Sequence, residues 1–203
     1  MLYYLDLLGT LAFAITGAYK AKGAKLNIAG VIFLGAITAL GGGTIRDLII
    51  GRTSLFYLKD LNYFIICVIA GILVYIIPVI FQKGYSFFRL MDSIGLAAFV
   101  IIGVSVAGNF GFIPSVFLGM LTGFGGGIIR DSIMSSDVPM SLKKGSNYAL
   151  SAFLGAASFY LLMFINVQLA MAVSIIITLA MREIISKYGI INKLILKEYG
   201  RNK

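Results

Sequence analysis

Apolar residues in this chain come in long blocks separated by short polar connections, and the blocks predict seven membrane spans. They run approximately over 3–19, 28–50, 62–81, 90–107, 113–134, 147–164 and 168–186. A helix rises ~1.5 Å per residue and needs about 20 residues to cross a hydrocarbon core, so the shorter blocks leave little room for tilt. The expected fold class is an all-α polytopic membrane protein with a single seven-helix membrane domain over 1–186. The stretch 187–203 is a basic tail, expected as an interfacial helix or as disordered chain.

The polar connections add orientation. The N-terminus and the 2–3, 4–5 and 6–7 connections carry 3 basic residues, Arg46, Arg52 and Lys59. The other connections and the C-terminus carry the remaining 14: Lys20, Lys22, Lys25, Lys83, Arg89, Arg130, Lys143, Lys144, Arg182, Lys187, Lys193, Lys197, Arg201 and Lys203. By the positive-inside rule the N-terminus is outside and the C-terminus cytoplasmic. The net charge of +9 therefore reads as membrane orientation, with no nucleic acid partner.

The blocks also repeat. Asp6-x-x-Gly9-x-x-Ala12-Phe13-x-x-x-Gly17 returns as Asp92-x-x-Gly95-x-x-Ala98-Phe99-x-x-x-Gly103. Phe33-Leu34-Gly35 returns as Phe117-Leu118-Gly119, and Asn62-Tyr63 as Asn147-Tyr148. Between them Gly41-Gly42-Gly43-Thr44-Ile45-Arg46-Asp47 returns as Gly125-Gly126-Gly127-Ile128-Ile129-Arg130-Asp131. Each copy covers three spans, an odd number, so the second enters the membrane from the opposite side. The expectation is an inverted 3+3 repeat, about 3–81 and 90–164, with a seventh helix over 168–186 left over. Such repeats with Gly-interrupted helices point to a solute path at their interface.

The glycine triplets and the charges after them carry the candidate chemistry. Each glycine weakens a helix interior by about 1 kcal/mol, and an arginine at membrane depth costs about 2.5–3.5 kcal/mol on insertion scales. Gly41, Gly42 and Gly43 in span two and Gly125, Gly126 and Gly127 in span five are expected to bend or break their helices. The freed carbonyls would suit a cation and the new helix start an anion. Close helix packing is the rival reading, the role assigned here to Gly17, Gly30, Gly103, Gly119 and Gly155.

Helix rise places Arg46 ~27 Å along span two and Arg130 ~26 Å along span five, at opposite mouths. Adjacent side chains do not face each other on a helix, so Asp47 and Asp131 are not the expected partners. The proposed pairs are Asp6–Arg46 and Asp92–Arg130, direct or water-bridged, with snorkelling to the interface as the alternative. Thr16, Thr38, Thr44, Ser105 and Thr122 are the polar residues expected beside a path, each also able to bond its own helix backbone. Asn62 and Asn147 are expected as caps of spans three and six. Tyr3, Tyr4, Tyr57, Tyr63, Tyr85 and Tyr148 are expected in an interfacial belt.

Composition narrows the chemistry further. Sixty per cent of residues are hydrophobic, 12% are charged, and the mean hydropathy is +0.98, far from the roughly 25% charge of a soluble domain. With one cysteine, Cys67, and no histidine, the chain offers neither a disulfide framework nor the usual zinc and triad chemistries. It reads as no enzyme, with no cofactor and no resident metal site.

The doubled Gly-Gly-Gly-x-Ile-Arg-Asp motif, with Gly51-Arg52 after the first copy and Gly123-Phe124 before the second, resembles prokaryotic relatives of the trimeric intracellular cation (TRIC) channels. The resemblance covers about 1–185. The same prokaryotic family also carries a glycine-transporter label. The resemblance implies a homotrimer in membrane lipid, with a pore inside each protomer between kinked helices two and five, and permeation of K⁺ and other monovalent cations. It places a gating role on Arg46 or Arg130. A secondary transporter for a small zwitterion such as glycine is the alternative, and a structural scaffold a third class.

Overall fold

The computed structural model describes residues 1–77, 84–134, 138–139, 142 and 147–188. Lys83, Lys143, Lys144 and the tail beyond 188, which enter the charge count, lie outside the described residues. Seven α-helices are described: α1 Leu2–Gly23, α2 Ile28–Ile49, α3 Asn62–Ile76, α4 Gly84–Ala107, α5 Phe112–Met134, α6 Tyr148–Met163 and α7 Val167–Tyr188. Single 3₁₀ turns, Phe56–Leu58 and Gly108–Phe110, follow α2 and α4. Helices α1, α2, α4 and α5 are long and apolar enough to cross a membrane; α3 and α6 are apolar but shorter, at 15 and 16 residues.

The spans fall where hydropathy puts them, and the differences have local causes. α3 stops at Ile76 because Ile77 is extended before Pro78, and proline disfavours helix in the residue ahead of it. α4 starts six residues before the apolar block, at Gly84, because its polar first turns carry Arg89, which bonds to α7. The caps also differ. Asn27 caps α2, its side chain accepting from the Gly30 N–H at 2.8 Å, and Asn166 caps α7 through the Gln168 and Leu169 N–H groups. Asn62 is instead the first helical residue of α3 and Asn147 makes no side-chain cap bond. Gly30 belongs to the Asn27 cap and meets only that turn, not another helix.

The expected breaks at the glycine triplets are corrected by the structure, since α2 and α5 are each one continuous α-helix. The triplets serve close packing instead. A Cβ on Gly42 would collide with the Thr122 carbonyl oxygen, and a Cβ on Gly126 with that of Thr38, so the two helix backbones touch at this crossing. Only glycine permits that approach.

Matched glycines and phenylalanines near the crossing make matched contacts. Gly17 packs on Thr38 and Leu34 as Gly103 packs on Thr122 and Leu118. Gly35 meets the Ala14 carbonyl as Gly119 meets that of Val100. Phe13 and Phe99 pack edge to face at 5.2 Å, each against the other copy's Gly95 or Gly9. Three apolar clusters are described: one gathers Phe13, Leu40, Tyr63 and Cys67 with Phe99 from the second copy, a second gathers Leu96, Val104, Tyr148 and Phe159, and a third gathers Ala18, Val31, Leu34 and Val74.

Candidate functional site: charged clusters at both ends of a glycine crossing

The α2–α5 crossing separates two polar clusters. Asp6 and Lys20 lie fourteen residues apart on α1, about 21 Å along its axis, and mark the two ends, termed here upper and lower. Thr38 and Thr122 sit at the crossing, buried, each returning its hydroxyl to its own helix at Leu34 and Leu118. Thr44 and Ser105 do the same at Leu40 and Ile101, and Thr16 at Phe13.

In the upper cluster Arg46 is buried and bonds to Asp47, Nε at 2.8 Å and Nη2 at 2.7 Å from Oδ1. Neighbouring residues point about 100° apart on a helix, yet the arginine stem is long enough to reach around. The expectation that adjacent Arg and Asp do not pair is therefore wrong here. Asp47 also accepts from the Phe56 N–H, with Arg52 at 3.8 Å, and the Phe56 ring lies under the Arg46 guanidinium at 5.4 Å. Asp6 does not take Arg46 as its direct partner; it accepts from the Tyr63 hydroxyl at 2.7 Å. Asp6, Tyr3, Arg52 and Ser105 line a cavity of ≈ 340 Å³, and Gly51, Arg52, Ser54, Phe56 and Lys59 line a second of ≈ 590 Å³. Thr44, Gly41 and Tyr57 face a third, apolar groove of ≈ 310 Å³ beside α2. In the loop above, hydrogen bonds from the Tyr3 hydroxyl and the Asn62 N–H hold the Asp60 carboxyl below the usual carboxylate range.

The lower cluster is larger. Arg130 is buried and donates to Asp92 at 2.7 Å, to Asp131 at 2.8 Å and to the Thr16 hydroxyl at 3.0 Å. Asp131 also accepts from Lys20 at 2.6 Å. The Phe88 ring lies 4.9 Å from the Arg130 guanidinium. The other oxygen of Asp92 is taken by Arg182 from α7, whose guanidinium stacks at 3.9 Å on the Tyr148 ring. Arg182 also donates to Ser93 at 2.6 Å, and the next residue, Glu183, accepts from Arg89 at 2.6 Å and from Ser93 at 2.9 Å.

The geometry thus brings Asp92 to Arg130 as expected and leaves Asp6 to a tyrosine. Snorkelling is ruled out for both motif arginines, each only 2% exposed and bonded to carboxylate inside the bundle. Tyr63 and Tyr148 are likewise buried beside the two carboxylates, not in a belt. Their place in the repeat, each after an asparagine, was the available signal. Arg182 was counted only among the basic residues of the C-terminal side and Glu183 was not considered; a charged pair inside the last apolar block was the signal for them.

Fold and site together define a polytopic helical membrane protein whose two halves cross on glycine, with a buried carboxylate–arginine cluster at each end. A family model described as "Glycine transporter" matches residues 3–78 and 89–164, and the chain belongs to that family. The two matched stretches coincide within a few residues with the two sequence copies. The chain is 38% identical over 163 residues to a UPF0126 membrane protein of Deinococcus radiodurans, covering 79% of this chain and 76% of that one. It is 34% identical over 190 residues to the UPF0126 inner membrane protein YadS of Escherichia coli K12, covering 90% of each. Among solved structures it is similar to the TRIC trimeric intracellular cation channel orthologue from Rhodobacter sphaeroides, with TM-score 0.86 and 32% identity over 93% of this chain and 98% of that one. It is also similar to a chain solved to explain conductance through TRIC cation channels, with TM-score 0.81 and 33% identity over 92% of this chain and 93% of that one.

Proposed function

We propose that this protein is a monovalent-cation channel, permeable to K⁺, with a path inside each protomer along the α2–α5 crossing, and that it assembles as a homotrimer. The observation that carries the reading is the likeness to TRIC channel structures across more than nine-tenths of the chain. The matched contacts at Gly42–Thr122 and Gly126–Thr38, and the double family match, support an inverted repeat within one membrane domain over 1–186, the 187–203 tail apart. The upper end, the side whose connections carry three of the seventeen basic residues, is outside, and the lower end with the C-terminus is cytoplasmic.

Cations would enter past Asp6 and Ser105 above and past Asp92 and Asp131 below. Thr16, Thr38 and Thr122 would face the path only once the crossing loosens, because all three are buried while the helix backbones touch. Arg46 and Arg130 would govern passage through their release from Asp47 and from Asp92 and Asp131, since a bare guanidinium on the path repels cations. The glycines allow α2 and α5 to slide or tilt past each other without side-chain obstruction. Carbonyl dipoles and charged rings are the ordinary means of ion selection.

Reconstitution in planar bilayers under K⁺, Na⁺ and Cl⁻ gradients tests this. Unitary currents reversing near the K⁺ potential are expected; a reversal that follows Cl⁻ would count against it. The family description favours a second reading, a carrier for a zwitterion such as glycine. Saturable glycine uptake into vesicles without unitary steps would select that one.

A further inference from the structure

Set side by side, the two clusters are unequal, and the inequality comes from α7. Asp6 has a tyrosine for a partner, whereas its counterpart Asp92 is held by two arginines, Arg130 and Arg182. Arg182 lies outside the stretches that the family model matches. The upper cluster balances Arg46 and Arg52 against Asp6 and Asp47. The lower one sets Lys20, Arg89, Arg130 and Arg182 against Asp92, Asp131 and Glu183, one positive charge in excess.

The last turns of α7 also tie this cluster shut. Arg182 and Glu183 are adjacent, and both reach Ser93 on α4: its hydroxyl accepts from Arg182, and its one proton is shared between Glu183 at 2.9 Å and the Arg89 carbonyl at 2.8 Å. Arg89, four residues before Ser93 on α4, completes the loop by donating to Glu183. Of these groups Glu183 and Arg89 are partly exposed, with side chains 33% and 28% open. Arg182 and Asp92 are nearly closed off, at 10% and 2%. The tie therefore runs from a wet rim to a dry interior.

We infer that Arg182 and Glu183 form a latch with which α7 closes the lower mouth. The latch places Arg182 on Asp92 and so withholds that carboxylate from an entering cation, without changing the net charge of the cluster. While it is closed, both Asp92 oxygens are occupied and no carboxylate oxygen of that residue is free to replace a cation's water. Withdrawal of α7's last turns frees one Asp92 oxygen and leaves Arg130 alone on Asp92, while the net charge of the cluster is unchanged because Arg182 and Glu183 leave together. Arg182 is thus a permeation-controlling residue that the repeat does not contain. The inference rests on a solute path running past Asp92, and it holds whether the solute is a cation or a zwitterion.

The test measures water access independently of transport. Thr16 is buried behind the latch and touches Arg130, so a Thr16→Cys chain in vesicles, with Cys67→Ala to remove the native thiol, reports on the lower mouth. A membrane-impermeant cationic methanethiosulfonate is applied from the side of α7's C-terminus. Arg182→Gln or Glu183→Gln should speed labelling about tenfold, the effect of shifting an opening equilibrium by ~1.4 kcal/mol. Glu183→Arg should do the same, and adding Arg89→Glu, which restores the pair with its signs exchanged, should slow labelling again. That rescue excludes general unfolding as the cause. Labelling unchanged in all variants, or not restored by the exchanged pair, overturns the latch. Currents recorded in parallel separate the two claims. Faster labelling with no unitary current sinks the channel reading alone, and normal currents with unchanged labelling sink the latch alone.

Discussion

Alanine at Gly42 or Gly126 is expected to lower the melting temperature of the detergent-solubilised protein markedly, while alanine at Gly41 is nearly tolerated. The distinction comes from what each new methyl meets. At Gly42 and Gly126 it strikes a backbone carbonyl of the opposing helix, which cannot turn aside without separating α2 from α5. At Gly41 the nearest atom is the tip of Ile129, 2.7 Å away, a flexible end that can rotate. Overpacking of the first kind costs about 1–3 kcal/mol, and a chain of this size loses roughly 2–4 °C per kcal/mol. Shifts of several degrees are expected for Gly42→Ala and Gly126→Ala, and about 1 °C for Gly41→Ala. Equal tolerance at all three positions would mean that the crossing is looser than described. It would also favour a scaffold whose glycines are incidental.

The second large effect is expected at Asp92. Asp92→Asn leaves Arg130 and Arg182 buried with half their compensating charge gone. Removing one partner of a buried ion pair costs about 3–5 kcal/mol, because the stranded charge keeps its desolvation penalty. Asp6→Asn is expected to cost less than about 1 kcal/mol, since an amide oxygen still accepts from Tyr63. Thermal unfolding of the two variants in the same detergent makes the comparison. A larger loss at Asp6 than at Asp92 would contradict the inequality of the two clusters.

Much of this architecture was legible in the residues. Block length placed the spans, because a bilayer imposes its thickness on any apolar helix, and the Asp-Gly-Ala-Phe and triple-glycine motifs exposed the two copies. The depth argument correctly placed Arg130 level with Asp92. What escaped was tertiary. Whether three glycines unwind a helix or admit a neighbour depends on what lies opposite, and here Thr38 and Thr122 present their carbonyls. Periodicity set Arg46 and Asp47 on diverging faces, but a seven-atom side chain on a buried surface is not bound to its Cβ direction. Arg182 was the clearest loss. A count of basic residues by loop treats it as topology, and only the packing of α7 on α4 shows it beside Asp92.

The place of the crossing along each helix has a mechanical consequence. From Gly42, α2 extends about 21 Å to its lower end and about 10 Å to its upper end; from Gly126, α5 extends about 21 Å upward and about 12 Å downward. The pair is a scissors whose pivot is off-centre in each blade but in opposite senses. Every mouth is thus flanked by one long arm and one short arm, and rotation about the pivot widens both mouths by nearly the same amount. A device built only from the two repeats would have no preferred direction. Any asymmetry between its two ends must come from α7, which packs on α4 and α6 and has no counterpart in the repeat.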